Sequence, residues 1–362
     1  MYFTLIFNGC VMKEKQYLSI NGEQLPFHPG QTILEVAKHH GIFIPTLCYL
    51  KGTTPTGACR ICMVEVKGAR SLIASCAAPA AEGMQVQTDS EEVIRSRKLT
   101  LSLMLSSGHH DCLLCPATGD CKLQELAFRY KVPTNRFKPV KARHPLENTN
   151  PFITRDFSKC ILCGRCVQAC NDIQVNNAID LGFRGTATKV VTSGDRTLKD
   201  SDCVFCGECI QACPVGALYP RDALNKPRFG ETQKVRTTCS YCGVGCQMDL
   251  HTRDNQVVKV TGADVAPNFA SLCVKGRFGY DFIHSKERLT TPLIKENGKF
   301  RPTSWDEALE CMADAFQKTT ASEKDQIGML VSARTTNEDN YIAQKFARSV
   351  LKTNNIDHCA RL

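Results

Sequence analysis

Apolar and polar positions begin to alternate at KQYLSINGEQLPF, where two short period-two runs flank Asn21-Gly22, a pair that favours a tight hairpin turn. The period then lengthens. In QTILEVAKHHGIFIP the apolar residues Ile33, Leu34, Val36 and Ala37 form a short helix pattern, and Gly41 ends the run. Asp89 and Ser90 can cap a longer helix through EEVIRSRKLTLSLMLSS. Much further along, TSWDEALECMADAF reads as a capped amphipathic helix starting near Thr303 or Ser304, with Trp305 in its first turn. IGMLVSARTTNEDNYIAQKFAR then reads as a buried strand, a loop and a helix, the order in which a parallel sheet begins. Strands and helices are thus segregated, which predicts an α+β multi-domain chain.

Cysteine changes this picture. The 362 residues hold 22 cysteines, nearly all within a few positions of another. No run approaches the length of a membrane span, and no secretory or twin-arginine leader is recognisable. A cytoplasmic location is therefore expected, where clustered cysteines ligate metals or clusters rather than pair as disulfides. The formal charge of +9 is spread through interleaved acidic residues with no long basic block, which argues against nucleic acid. Five oxidised iron-sulfur clusters of the kinds assigned below would carry about −9 in total, so the basic excess offsets the cofactors.

The strongest signal is an internal repeat. CILCGRCVQAC places Cys160, Cys163, Cys166 and Cys170 at gaps of two, two and three, and CVFCGECIQACP repeats it with Cys203, Cys206, Cys209 and Cys213 before Pro214. Gly164 and Gly207 permit the tight turns such loops need. In such pairs the fourth cysteine ligates the other cluster, so Cys160, Cys163, Cys166 and Cys213 form one [4Fe-4S] set and Cys170, Cys203, Cys206 and Cys209 the other. Zinc explains isolated CxxC pairs but not this repeat. Upstream, Cys48, Cys59, Cys62 and Cys76 are separated by ten, two and thirteen residues, behind the hairpin and short helix. That arrangement describes a β-grasp ferredoxin holding a [2Fe-2S] cluster. Downstream, Cys239, Cys242 and Cys246 in CSYCGVGC are followed after twenty-six residues by Cys273. Spacing alone leaves this last set open between structural zinc and a fifth cluster.

Resemblance to known families narrows the reading. The first set, around TGACRICMVEV, resembles the ferredoxin domain of the large peripheral subunit of complex I and of related hydrogenases and formate dehydrogenases. GHHDCLLCPATGDCKLQEL resembles the segment that, in the same family, binds a [4Fe-4S] cluster through one histidine and three cysteines. Cys112, Cys115 and Cys121 match the cysteines, but the family's histidine position is Gly108 here. His109 is the expected fourth ligand, with His110 as its rival. CSYCGVGC and CVKG resemble the amino-terminal cluster domain of the molybdenum and tungsten bis-pterin oxidoreductases, which makes the Cys239 set a [4Fe-4S] cluster and Lys275 a relay between cluster and pterin. SARTTNEDNY and NNIDHCARL resemble segments of formate dehydrogenases. Apart from this likeness, Cys311 is expected to be an ordinary core cysteine and Cys359 structural.

In that family the segment like NNIDHCARL immediately precedes a cysteine or selenocysteine that ligates the metal, so a selenocysteine is expected after Leu362. The resemblance implies the amino-terminal part of a formate dehydrogenase catalytic subunit, with molybdenum or tungsten on two pterin guanine dinucleotides in the full-length protein. The 362-residue chain is expected to be inactive alone. Electrons would pass through the clusters to a flavin-containing NAD(P)-reducing subunit, a hydrogenase module or a ferredoxin. A stand-alone carrier, a complex I large subunit and an iron-only hydrogenase are the rival readings. The expected divisions are residues 1–11, an extension or misread start before Met12 that carries Cys10; 12–90, the [2Fe-2S] domain; 91–145, the histidine-ligated domain; 146–230, the ferredoxin repeats; 231–288, the bis-pterin-type cluster domain; and 289–362, the start of the pterin domain.

Overall fold

The computed structural model describes residues 16–133, 137–138, 144–322 and 326–358. The expectations for residues 1–11 and for Cys359 lie outside them. The chain divides into two compact units between Glu231 and Thr232.

In the first unit, β1 (Gln16–Ile20) and β2 (Glu23–Phe27) pair antiparallel from Gln16↔Phe27 to Ile20↔Glu23. Asn21 and Gly22 make the turn at φ 54 and 90, the left-handed pair that matches strand twist. Thr32 and Glu35 close a capping box on α1 (Ile33–His39), whose residues Ile33, Leu34, Val36 and Ala37 are buried as patterned. Three short strands, β3 (Met63–Val66), β4 (Ile73–Ala74) and β5 (Gln85–Gln87), complete a sheet in the order β2-β1-β5-β3-β4. Strand β5 runs parallel to β1, because the chain crosses the sheet between them. The core between sheet and helix takes Cys62 and Cys76 among its apolar side chains.

The next helix, α2 (Glu91–Ser107), starts where expected, with the Ser90 hydroxyl accepting the Val93 N–H at 3.4 Å. It buries Arg97 completely. The guanidinium donates to Ile61 O (3.2 Å), Met63 O (3.0 Å) and the Tyr130 hydroxyl (3.0 Å), and reaches the exposed Asp89 at 3.1 Å. Since Tyr130 follows α3 (Lys122–Arg129), one side chain ties two helices to the β3 edge of the sheet.

The repeat folds as a pseudo-symmetric pair. In chain order it contains β6 (Ile153–Arg155), α4 (Arg165–Gln168), β7 (Asp180–Gly182), β8 (Lys189–Val191), α5 (Glu208–Ala212) and β9 (Leu218–Pro220). Strands β6 and β9 pair antiparallel and so bring the two ends of the repeat together. Helices α4 and α5 each start from a left-handed glycine, Gly164 at φ 76 and Gly207 at φ 73.

The second unit opens with a three-stranded antiparallel sheet of β10 (Gln233–Thr238), β11 (Gln247–Arg253) and β12 (Gln256–Gly262), followed by α6 (Val274–Phe278). A hairpin, β13 (Leu293–Glu296) and β14 (Lys299–Pro302), leads into α7 (Trp305–Ser322), whose Glu307 N–H is capped by the Ser304 hydroxyl at 3.2 Å. A parallel unit then forms from β15 (Met329–Val331), α8 (Asn337–Ser349) and β16 (Ile356–His358). Two expectations fail here. The strand read as buried leaves Leu330 85% exposed, and Cys311 is exposed rather than in a core. Both follow from coverage: α7 has no buried residue among those described.

Candidate electron-transfer centres

The sulfurs of Cys48, Cys59, Cys62 and Cys76 converge. Cys59 N–H points at Cys48 Sγ at 3.5 Å, from a loop in which Gly57 and Arg60 both take positive φ. Hydrogen bonds from Cys59 and Cys76 hold the Cys48 thiol down at about 2, and one from Cys76 lowers Cys62 to about 6. The donors Cys59 and Cys76 are pushed up correspondingly. Four sulfurs that must share protons in this way form a donor set waiting for positive charge. Two groups outside the cysteine motif hold the loop. Ser75, fully buried, donates its hydroxyl to Cys62 O at 2.7 Å, and Arg97 donates to the Ile61 carbonyl between Cys59 and Cys62.

In the repeat, Cys160, Cys163, Cys166 and Cys213 line one apolar cavity together with Cys209, Val215 and Ile179. Burial pushes Cys163 up to about 12 and Cys213 to about 11, and raises Cys166 well above the usual thiol range. Several thiolates in an apolar cage are costly unless a cationic core sits among them, so this donor set fits an iron-sulfur core. Cys203 lies within electrostatic reach of Cys206 and Cys170, which joins the fourth cysteine of the first motif to the second. The two halves repeat in detail. Leu162 N–H and Phe205 N–H point at Cys160 Sγ and Cys203 Sγ, each at 3.4 Å, and the two residues take φ of 55 and 53. Bulky residues rarely adopt that conformation, and here it aims a donor at a sulfur.

A second cavity is walled by Cys112, Cys115 and Cys121 with His110, Lys159 and Val215. His110, not His109, occupies its wall. The His109 side chain is exposed, and its N–H is taken by Ser158 O at 2.9 Å. His110 Nε2 faces Met104 O at 3.0 Å. A carbonyl only accepts, so Nε2 carries the proton and Nδ1 keeps the lone pair. Gly216 closes the cavity so tightly that a Cβ there would stand 2.3 Å from Cys115 Sγ. Val215 lines both cavities. Below the repeat, Asp156 resists burial because Lys159 and Ser158 hydrogen-bond to its carboxylate and hold it below the ordinary range.

In the second unit, burial raises the Cys239 and Cys246 thiols, and the charges of Cys242 and Cys273 nearby add to it. Cys239 N–H donates to Cys246 O at 2.8 Å, and a Cβ at Gly276 of helix α6 would stand 3.5 Å from Cys239 Sγ. Lys275 is exposed on that helix. Among the described residues no three His, Cys, Asp or Glu side chains close on one point as a single ion requires.

Sequence reasoning missed Arg97, Ser75, Arg165 and Gly216, none of which is itself a cluster ligand. One apolar core joins three of the centres: Cys48 and Cys59, Cys121, and Cys160, Cys163 and Cys213 pack around Leu47, Ile61, Leu101 and Val215. Buried sulfur sets on a shared core define an iron-sulfur electron-transfer assembly.

Family models agree module by module. A 2Fe-2S iron-sulfur cluster binding domain matches residues 15–91, the NADH-ubiquinone oxidoreductase-G iron-sulfur binding region 97–136, and a 4Fe-4S dicluster domain 159–217. The molybdopterin oxidoreductase Fe4S4 domain matches 232–285 and molybdopterin oxidoreductase 288–362. The NADPH-Fe(3+) oxidoreductase subunit alpha of Geobacter sulfurreducens is 37% identical over 346 residues, 95% of this chain and 40% of that protein. YrhE of Bacillus subtilis, provisionally named a formate dehydrogenase, is 32% identical over 386 residues, 94% of this chain and 39% of its own. A chain of an NAD+-reducing [NiFe]-hydrogenase in the H2-reduced state superposes with a TM-score of 0.53 at 35% identity, covering 57% of this chain and 87% of that one. Residues 232–362 carry the Fe4S4 and molybdopterin domains of the molybdopterin oxidoreductases, preceded by iron-sulfur electron-transfer domains that include one region like that of NADH-ubiquinone oxidoreductase-G. The chain spans about two-fifths of the length of the curated relatives it matches. No helix among the described residues is long and apolar enough to cross a membrane.

Proposed function

We propose that this chain is the electron-conducting portion of a formate dehydrogenase catalytic subunit, interconverting formate and carbon dioxide with release or uptake of two electrons and a proton. The observation that carries the conducting role is the shared apolar core, which packs cysteines of three centres against one another. Cys48, Cys59, Cys62 and Cys76 hold the [2Fe-2S] cluster. Cys160, Cys163, Cys166 and Cys213 hold one [4Fe-4S] cluster, and Cys170, Cys203, Cys206 and Cys209 its twin. Cys239, Cys242, Cys246 and Cys273 hold another, with Lys275 as the relay toward a molybdenum or tungsten bis-pterin site. His110 through Nδ1, with Cys112, Cys115 and Cys121, holds the remaining one, and its Nε2 bond to Met104 O fixes the tautomer as ligating histidines require. The protein tunes these clusters by ligand type, burial and N–H···S bonds such as those from Leu162 and Phe205.

Formate as the substrate rests on SARTTNEDNY and NNIDHCARL and on the likeness to YrhE. By the same resemblance, the residue following that last segment is the metal-ligating selenocysteine. The relatives named for NADPH oxidation and NAD+ reduction support an NAD(P)-linked flavin subunit as electron partner. The test is anaerobic reduction of the full-length, metal-loaded protein. Formate alone should bring up the reduced [2Fe-2S] resonance that dithionite gives. Reduction by dithionite but not by formate overturns the substrate, and a chain that binds far fewer than roughly 18 irons overturns the conducting role.

A further inference from the structure

Three cations gather at the junction of the centres. Arg165, at the start of α4, has a buried Nε without a hydrogen-bond partner among the described residues. Its charge is felt by Cys163 and Cys213 on one side and by Cys48 on the other. Lys122, next to Cys121, and Lys38 of α1, both exposed, lie within electrostatic reach of it. Gln168, 8% exposed and one turn along from Arg165, donates Nε2 to Thr54 O at 2.7 Å. That bond fixes α4 against the [2Fe-2S] loop. The acids facing the group, Glu35 from α1 and Glu125 and Asp120 around α3, act on the two lysines and not on Arg165.

Arg165 is the partly buried member of the group, its Nε is left without a hydrogen-bond partner among the described residues, and the sulfurs of Cys163, Cys213 and Cys48 are the negative groups within its reach. A guanidinium keeps its proton under all physiological conditions and suits a fixed charge between two anionic sites. We infer that Arg165, supported by Lys38 and Lys122, is a positioning charge between the [2Fe-2S] and the Cys160-Cys163-Cys166-Cys213 centres, raising both reduction potentials. This rests on the ligand sets proposed above. An electron added to either centre is stabilised by the same guanidinium.

The test is an EPR-monitored redox titration of the full chain, anaerobically loaded, comparing wild type with Arg165→Gln and Arg165→Lys. Arg165→Gln should make reduction of both centres at least tenfold harder, a shift of about 59 mV for one electron. Arg165→Lys should restore most of it, and the Cys203 centre should not move. Unchanged potentials in a loaded Arg165→Gln chain overturn the inference, as does an Arg165→Lys variant displaced as far as Arg165→Gln. Lys38 is exposed, so Lys38→Gln keeps the fold if Arg165→Gln does not load. It should move the [2Fe-2S] potential in the same direction by threefold or more, and no movement overturns the inference. Absence of either cluster signal from the wild type defeats the ligand reading instead.

Discussion

Replacing Gly216 by alanine tests a close approach between the repeat and the histidine-containing centre. The added Cβ would stand 2.3 Å from Cys115 Sγ, 3.4 Å from Ala117 Cβ and 3.7 Å from Lys159 Cδ. Ordinary contact begins at 3.4 Å, so the sulfur or the backbone must give by about 1.1 Å. Cys115 is 8% exposed and cannot swing into solvent. Metal-ligand distances hold within about 0.2 Å, so the shift exceeds the tolerance roughly fivefold. Overpacking alone costs about 1–3 kcal/mol, which a multi-domain chain can bear. The substitution should therefore strip one cluster and leave the fold standing. Iron content should fall by roughly four atoms per chain, with loss of the histidine-ligated cluster's EPR signal and retention of the [2Fe-2S] signal. A Gly216→Ala chain with full iron content and an unchanged spectrum would refute the reasoning, because Cys115 would then be free to move or not be a ligand.

Arg97→Met removes three buried hydrogen bonds from a charged donor and should lower the stability of the [2Fe-2S] domain by about 3–5 kcal/mol, read as the urea midpoint for bleaching its visible band; a loss under about 1 kcal/mol would show that the staple carries little. His110→Ala should remove the histidine-ligated cluster's signal while His109→Ala leaves it intact, and the opposite pattern would restore His109. Cys213→Ser should disturb the cluster of the first motif and Cys170→Ser that of the second, so EPR of the two variants should show crossed losses. Loss within the mutated motif in each case would break the crossed pairing of the two motifs.

What the sequence disclosed was local. The Asn21-Gly22 turn, the Ser90 cap and the left-handed Gly164 and Gly207 each depend on residues within a few positions, and each stands where the pattern put it. The features that escaped depend on distant pairs. Arg97 reaches a carbonyl thirty-six residues away, Gln168 one at a separation of 114, and Gly216 meets a sulfur a hundred positions earlier. The choice between His109 and His110 escaped for another reason. Counting residues back from Cys112 cannot show that the His109 side chain is exposed while His110 lines the cavity. For Cys311 and Leu330, hydrophobic pattern predicted burial, but burial also requires a covering surface, and α7 has no buried residue among those described.

The Arg97 staple bears on how such proteins can be taken apart. The sequence invites a cut near residue 90, where a ferredoxin-like module ends. Yet the guanidinium that holds its cluster loop comes from the helix beyond that cut, and is itself braced by Tyr130 from the next module. An excised ferredoxin would carry every sulfur and lose its anchor, whereas a graft ending after Tyr130 would carry both. The unit available for exchange between one electron-carrying enzyme and another is therefore larger than the motif that names it.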